Sequence, residues 1–278
     1  MFGLSRSRTI KPLIHRQTAV RQSGCRLLFC AKCDSTIRRF NYLRGKIWVM
    51  ALILSLETST SVCSAALARD GRLLAERVSY EGKSHATLLT VFVEQILAET
   101  GIEATALDAV AVSQGPGSYT GLRIGVSAAK GICYATGAKL IAVDTLKAMA
   151  IMAEKNAAPH PDLYCSMIDA RRMEVYTAIY NSDLEQIGNT QALVIDGNSF
   201  ADELKTNTIA FYGDGAAKCR DVICSPNARF IDDICPLAAN MVQLAENAYA
   251  AGDFKDVAYF DPFYLKDFVA TVAKNKVL

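Results

Sequence analysis

The residues best placed to do chemistry lie in Gly115-Pro116-Gly117-Ser118-Tyr119-Thr120-Gly121, a glycine-proline cluster between two apolar segments. Free amides at a helix start that follows a glycine turn attract phosphate. The same turn also serves as a tight, close-packed link from strand to helix. It is not a Walker loop, since no Gly-Lys-Ser/Thr follows, and the spacing of Gly115, Gly117 and Gly121 does not fit the G-x-G-x-x-G dinucleotide pattern. Without those confirming residues, the packing reading is preferred. Histidine chemistry is restricted as well. The chain has three histidines, His15, His85 and His160, no two of them spaced i,i+4, and no H-E-x-x-H. A single histidine with no fixed partner titrates but does not catalyse, so His85 reads as a polar surface or capping residue. Asp169-Ala170-Arg171-Arg172 with Glu174 and Tyr176 has the composition of an acid/base cluster. Strand alternation, however, sets Arg172, Glu174 and Tyr176 on one face, where Arg and Glu pair, and leaves Asp169 to bond turn amides at a strand end. That structural reading is preferred, with the lining of a cleft between lobes left open. Cys30-Ala31-Lys32-Cys33, with Cys25 nearby, is half a zinc site lacking its second pair, so no metal is expected. The other six cysteines sit among apolar neighbours and read as buried, reduced thiols.

The elements that must position these residues follow from periodicity. Ala109-Val110-Ala111-Val112 is a short apolar run before the glycine turn and reads as a buried strand. The segment from Gly121 to Thr136 carries apolar residues at helical spacing, with Ser118 and Thr120 available as caps. Small residues recur along it at Gly121, Gly125, Ala128 and Gly131. Each glycine costs a helix about 1 kcal/mol relative to alanine, so something must pack closely against this one. Upstream, Leu52 to Glu57 and Val62 to Arg69 read as strands, Asp70-Gly71 as a hairpin turn, and Arg72 to Tyr80 as a third strand. After a Ser84 cap, His85 to Thr100 has the apolar stripe of a helix. Lys139 to Val143 adds a strand. A second run of strands is expected at Leu163 to Asp169, Glu174 to Tyr180 and Leu184 to Ile195. Helices around Ser199 to Leu204, Ala216 to Val222 and Pro236 to Gly252 complete that half, and Pro159-His160-Pro161 marks the crossing between halves.

The two helices from His85 and from Gly121 are richer in apolar and close-approach positions than one thin lobe needs. Side by side, they can dock onto two helices of another chain. The candidate contact residues are Leu88, Leu89, Phe92, Gly121, Leu122, Ile124, Gly125 and Ala128. Gly125→Leu is expected to block docking while the fold is kept.

The first forty-nine residues differ from the rest. They hold eleven Lys or Arg and one acidic residue, Asp34, a balance of +10 within a chain of +2, so residues 50–278 carry −8. A nucleic-acid arm, a targeting peptide and a translated upstream stretch ahead of Met50 all fit such asymmetry. The last is favoured, and residues 1–49 are expected to be disordered or weakly helical. No run of eighteen apolar residues exists, so no membrane span is expected.

Three segments together resemble a known family. Ile53-Leu54-Ser55-Leu56-Glu57-Thr58-Ser59-Thr60, the run Gly115 to Gly125, and Asp169 to Tyr176 are similar to the bacterial threonylcarbamoyladenosine biosynthesis proteins called TsaB or YeaZ. The resemblance covers roughly residue 50 to the C-terminus. It implies an α/β, two-lobed actin/sugar-kinase-like fold, each lobe a mixed sheet with packed helices. The first lobe would span 50–158 and the second 159–278, with Pro262-Phe263-Tyr264-Leu265-Lys266-Asp267 returning to the first lobe on core-anchoring aromatics. In the actin-like superfamily the first hairpin turn holds ATP phosphates, which would leave Glu57, Thr58, Ser59, Gly115 and Gly117 as a vestigial phosphate site or a plain turn. The resemblance further implies a cytoplasmic, non-catalytic scaffold that pairs with the paralogue TsaD through the two helices and is joined by TsaE. It adds His85, at the start of its helix, to the candidate contact residues. Threonylcarbamoyl would pass from threonylcarbamoyl-AMP to N6 of the adenosine 3′ of the anticodon in tRNAs reading ANN codons. ATP, metal and threonylcarbamoyl-AMP would belong to partner subunits and tRNA would meet the complex, with a homodimer when TsaD is absent. TsaD holds a metal with a histidine pair on one helix, and this chain has no such pair. An active actin-fold small-molecule kinase is the alternative; magnesium-dependent ATP turnover would favour it.

Overall fold

Residues 40–43, 46–49, 51–82 and 85–266 are described in the computed structural model of the chain. Cys25, Cys30, Cys33, His15, the Ser84 cap and Asp267 lie outside them. Strands β1 (Phe40–Leu43) and β2 (Lys46–Val49) pair antiparallel, Phe40 opposite Val49. This corrects the expectation of disorder or weak helix for that part of the basic extension: FNYL and KIWV are rich in aromatic and β-branched residues, and two residues separate them.

The first lobe is built on five strands: β3 (Leu52–Glu57), β4 (Cys63–Arg69), β5 (Arg72–Ser79), β6 (Ala109–Gly115) and β7 (Lys139–Asp144). Their order is β5-β4-β3-β6-β7, with β3 antiparallel to β4 and parallel to β6, and β6 parallel to β7. Asp70 and Gly71 both have positive φ (55° and 72°), the conformation a two-residue hairpin turn needs. Residues on the central strands alternate between two cores. Leu52, Leu54, Leu56, Val110 and Val112 face α1 (His85–Thr100) and α2 (Tyr119–Thr136), whereas Ile53, Ala109 and Ala111 face α5 (Val242–Ala251). Strands covered on both faces read as continuous apolar runs, which is why β3 and β6 look so hydrophobic.

The second lobe repeats the plan. Strands β8 (Leu163–Asp169), β9 (Glu174–Tyr180), β10 (Gln186–Val194), β11 (Ile209–Tyr212) and β12 (Ala228–Ile231) form a sheet of order β10-β9-β8-β11-β12. Again the first three strands are antiparallel, and the last two run parallel to the first. The lobes are therefore alike in topology while no repeat shows in the sequence. This is the two-lobed actin-like architecture. Helix α3 (Thr145–Asn156) covers one face of the second sheet; α4 (Glu203–Thr206) and the turn of 3-10 helix at Ala217–Cys219 cover the other.

Four expectations are corrected. The crossing lies at Asp144 and Thr145 rather than at Pro159-His160-Pro161. Asp144 caps α3, its carboxylate accepting from Lys147 N at 2.8 Å, and Leu146, Met149, Ala150 and Ala153 already belong to the second core. Helix α5, assigned to the second lobe, packs on the first sheet through Ala245 and Tyr249. The helices expected at Ser199–Leu204 and Ala216–Val222 shrink to α4 and the single 3-10 turn. Phe263 and Tyr264, expected as core anchors, are 43% and 38% exposed.

Candidate functional site

Two features stand out at the carboxyl ends of the parallel strands, where ligands bind in open α/β sheets. One is the turn after β3, and the other is a cleft between the lobes. Glu57 ends β3 and is fully buried. Its Oε1 accepts from Ser59 N at 2.6 Å, and Oε2 has no hydrogen-bond partner among the described residues. Burial raises its pKa above the usual carboxylate value, against the opposing pull of the Ser59 bonds. The same burial, with Glu57 nearby, pushes the Cys63 thiol up to about 11.

Residues 58 and 59 are wedged against the start of α2. Thr58 Oγ1 donates to Gly121 O (2.8 Å), and Ser118 N donates to Ser59 O (2.6 Å). Ser118 also caps α2 by accepting from Gly121 N at 3.3 Å. The glycines make the fit possible. A Cβ on Gly117 would stand 2.3 Å from Ser59 O, one on Gly121 2.1 Å from Thr58 O, and one on Gly125 2.3 Å from Thr58 Oγ1. What packs closely against the glycine-rich helix is thus this chain's own turn.

This arrangement decides how well the turn fits a bound phosphate. The Ser118 amide at the helix start is taken by Ser59 O, the space beside Gly117 and Gly121 is filled by backbone, and Glu57 is fully buried. At these positions the turn is closed on its own chain, which favours the plain-turn reading over the phosphate site. Gly115, grouped with that site, instead meets the C-terminal segment: its φ is +113°, and a Cβ there would lie 2.7 Å from Phe263 O.

The nine candidate docking residues divide by burial. Leu89 and Leu122 are 1% exposed and belong to the first-lobe core, and Gly121 and Gly125 are buried under Thr58. His85 is buried too, its Nε2–H donating to Thr60 O at 2.8 Å. Leu89, Leu122 and Gly125 are enclosed by this chain, His85 and Gly121 reach only the wall of the cleft, and Gly125→Leu would strike Thr58 before it met a partner. Leu88 and Phe92 on α1, and Ile124 and Ala128 on α2, remain half-buried, each pair at i,i+4 spacing. Ile132 extends the row, a position that the same spacing could have supplied.

The interlobe cleft, of about 950 Å³, is lined by Ser59, Thr60, Ser61 and His85 from the first lobe and the α2 start at Gly117–Gly121. Asp169, Ala170, Arg171 and Tyr176 line it from the second lobe, and Tyr264, Leu265 and Lys266 from the C-terminal segment. The Asp169–Tyr176 motif thus does reach the cleft. Asp169 Oδ1 accepts from Arg171 N at 2.9 Å, as a strand-end carboxylate should, and also pairs with Lys218. The expected Arg172–Glu174 pair is absent among the described residues. Arg172 sits in the β8–β9 turn with φ 51°, and Glu174 pairs with Lys266 instead. Sequence reasoning missed Tyr119 against Tyr264, ring centroids 4.8 Å apart. No group of three metal-ligating side chains occurs among the described residues, and no helix there is long and apolar enough to cross a membrane.

Comparison with known proteins adds the following. A family model described as "TsaD: tRNA N6-adenosine threonylcarbamoyltransferase" matches residues 75–274. The Escherichia coli protein named tRNA threonylcarbamoyladenosine biosynthesis protein TsaB is 31% identical over 225 residues, covering 78% of this chain and 96% of that one. The Bacillus subtilis protein of the same name is 33% identical over 146 residues, 51% of this chain and 62% of its own length. A crystal structure of a Pseudomonas aeruginosa protein with similarity to the peptidase YeaZ superposes with a TM-score of 0.70 at 28% identity. It covers 78% of this chain and all of that one.

Proposed function

From the premise that the chain belongs to the TsaB/YeaZ group within that threonylcarbamoyltransferase family, and with it to tRNA threonylcarbamoyladenosine biosynthesis, we propose that it is a docking subunit without a catalytic site of its own. It holds TsaD through α1 and α2 in the cytoplasm, TsaE joins them, and tRNA meets the assembly rather than this chain alone. Threonylcarbamoyl-AMP, ATP and metal sit in the partner subunits. When TsaD is absent, the same face pairs two copies of this chain.

The observation that carries this reading is the half-buried row of Leu88, Phe92, Ile124, Ala128 and Ile132 on two touching helices. Phe92, Ile124, Ala128 and Ile132 pack their inner sides on the first-lobe core, so they stand in fixed positions. A rigid apolar ridge is inexpensive to desolvate and loses little side-chain freedom on docking. Glu57 supports the non-catalytic part. The one acidic side chain at the end of the first strand, Glu57, is fully buried and does not line the cleft.

The test is reconstitution with the TsaD and TsaE proteins of the same genome, ATP, threonylcarbamoyl-AMP and tRNA, omitting each component in turn. Modification is expected only when this chain and TsaD are both present, with no ATP turnover by this chain alone. Magnesium-dependent phosphoryl transfer by the isolated chain would replace this reading with that of a kinase.

A further inference from the structure

The C-terminal segment after α5 is bound to both lobes. Lys255 N donates to Leu140 O at 2.8 Å along the edge strand β7, and Val257 and Phe260 pack on the first-lobe core. Lys130 Nζ on α2 then holds Ala258 O at 3.1 Å. Further on, Phe263 N donates to Gln114 O at 2.7 Å, and the Phe263 carbonyl lies where only a glycine at 115 leaves room for it. Tyr264 rests on Tyr119 at the first residue of α2. The next contact is on the other side of the cleft, where Lys266 Nζ pairs with Glu174 on β9 of the second lobe. Tyr264, Leu265 and Lys266 all line the cleft.

We propose that this segment is a latch, in which Tyr264 on Tyr119 and Lys266 on Glu174 hold the two lobes together across the mouth of the cleft and set how far it opens. Fixed attachment on one lobe with, among the described residues, one ion pair on the other is the geometry of a strap that can let go at one end. That end is the weak one. Lys266 and Glu174 side chains are 45% and 20% exposed, and ion pairs so placed are weak enough to break in thermal opening. The attachments to the first lobe, by contrast, include main-chain bonds and buried apolar side chains.

Amide hydrogen exchange on the full chain tests this, using Lys266→Gln, Glu174→Gln, the double variant and Tyr264→Ala. Each single change at the ion pair should raise exchange roughly two- to fivefold, both in 263–266 and in the cleft walls at 117–121 and 169–171. The double variant should match either single, because both remove one interaction. Tyr264→Ala should produce the same pattern with Lys266 and Glu174 intact. The thermal midpoint should stay within a few degrees, which separates opening from unfolding. Exchange that rises only in 263–266, or single effects that add in the double variant, would show that the pair merely pins a loose end and does not govern the cleft.

Discussion

Gly125→Ala puts the packing of the glycine-rich helix to a quantitative test. On helix propensity alone the change should stabilise by about 1 kcal/mol. The new Cβ would stand 2.3 Å from Thr58 Oγ1, a β-branched side chain buried and bonded to Gly121 O. Thr58 can yield only by breaking that bond, a loss of roughly 0.5–1.5 kcal/mol. Overpacking a filled site costs a further 1–3 kcal/mol. The net expectation is destabilisation by about 2 kcal/mol in urea unfolding. Thr58→Ala removes the clashing oxygen and leaves contacts of 3.5 Å to Val112 Cγ2 and 3.6 Å to Thr58 Cβ, which are ordinary. In the Thr58→Ala background the propensity gain should reappear, so the double variant should fall short of the summed single losses by about 3 kcal/mol, within the coupling expected of touching groups. If Gly125→Ala is neutral or stabilising, or the two changes simply add, the turn is not wedged on the helix as argued and the glycines are free to serve a partner.

Glu57→Gln should stabilise the protein at neutral pH, because it removes a charge that burial disfavours while an oxygen remains to accept from Ser59 N. The sign follows from linkage. A folded pKa raised above the unfolded 4.5 gives stability that is full below 4.5 and lost as pH rises through the folded value, so the advantage of the variant should vanish in acid. Unfolding curves at pH 4 and pH 7 measure it, and equal differences at both pH values would contradict the burial of the charge. Ser166→Ala should cost roughly 1–3 kcal/mol in thermal unfolding, since Ser166 Oγ holds Leu146 O at 2.8 Å and Tyr212 OH at 2.9 Å, and its loss strands the buried phenol. Among the described cysteines, peptide mapping after brief alkylation should find Cys224 labelled first, as it is exposed. Cys63, Cys133 and Cys165, their thiols pushed up to about 11, 11 and 12 by burial, should react only on unfolding.

How far the fold could be read in advance depended on how local its signals were. The first lobe was legible because each element carries its own: alternating cores on β3 and β6, Asp70-Gly71 at the hairpin, and a glycine cluster before α2. The second lobe was less so. Strands β11 and β12 have four residues each, too short for periodicity to separate from buried coil, and their register depends on β8 far away in sequence. Helix α3 went unread although Asp144 caps it, since its alanines and methionines face two cores at once and leave no clean stripe. At the site, the need of the small-residue helix for a close neighbour was legible, but not the neighbour. Spacing cannot distinguish a backbone approaching from another chain from the turn at Thr58-Ser59, sixty residues earlier. The Lys266–Glu174 pair was hidden for the same reason, its partners lying 92 residues apart.

The claim that everything functional rests on is that the outward row on α1 and α2 is where TsaD docks. Titration of the full chain with the TsaD of the same genome, comparing wild type with Leu88→Glu, Ala128→Glu and a second-lobe surface control, Thr206→Glu, tests it directly. The account predicts that both row variants keep the wild-type melting transition and weaken binding by at least about thirtyfold, the loss of some 2 kcal/mol that a central apolar contact carries, while the control binds as wild type. Folded row variants that bind TsaD with wild-type affinity would contradict it.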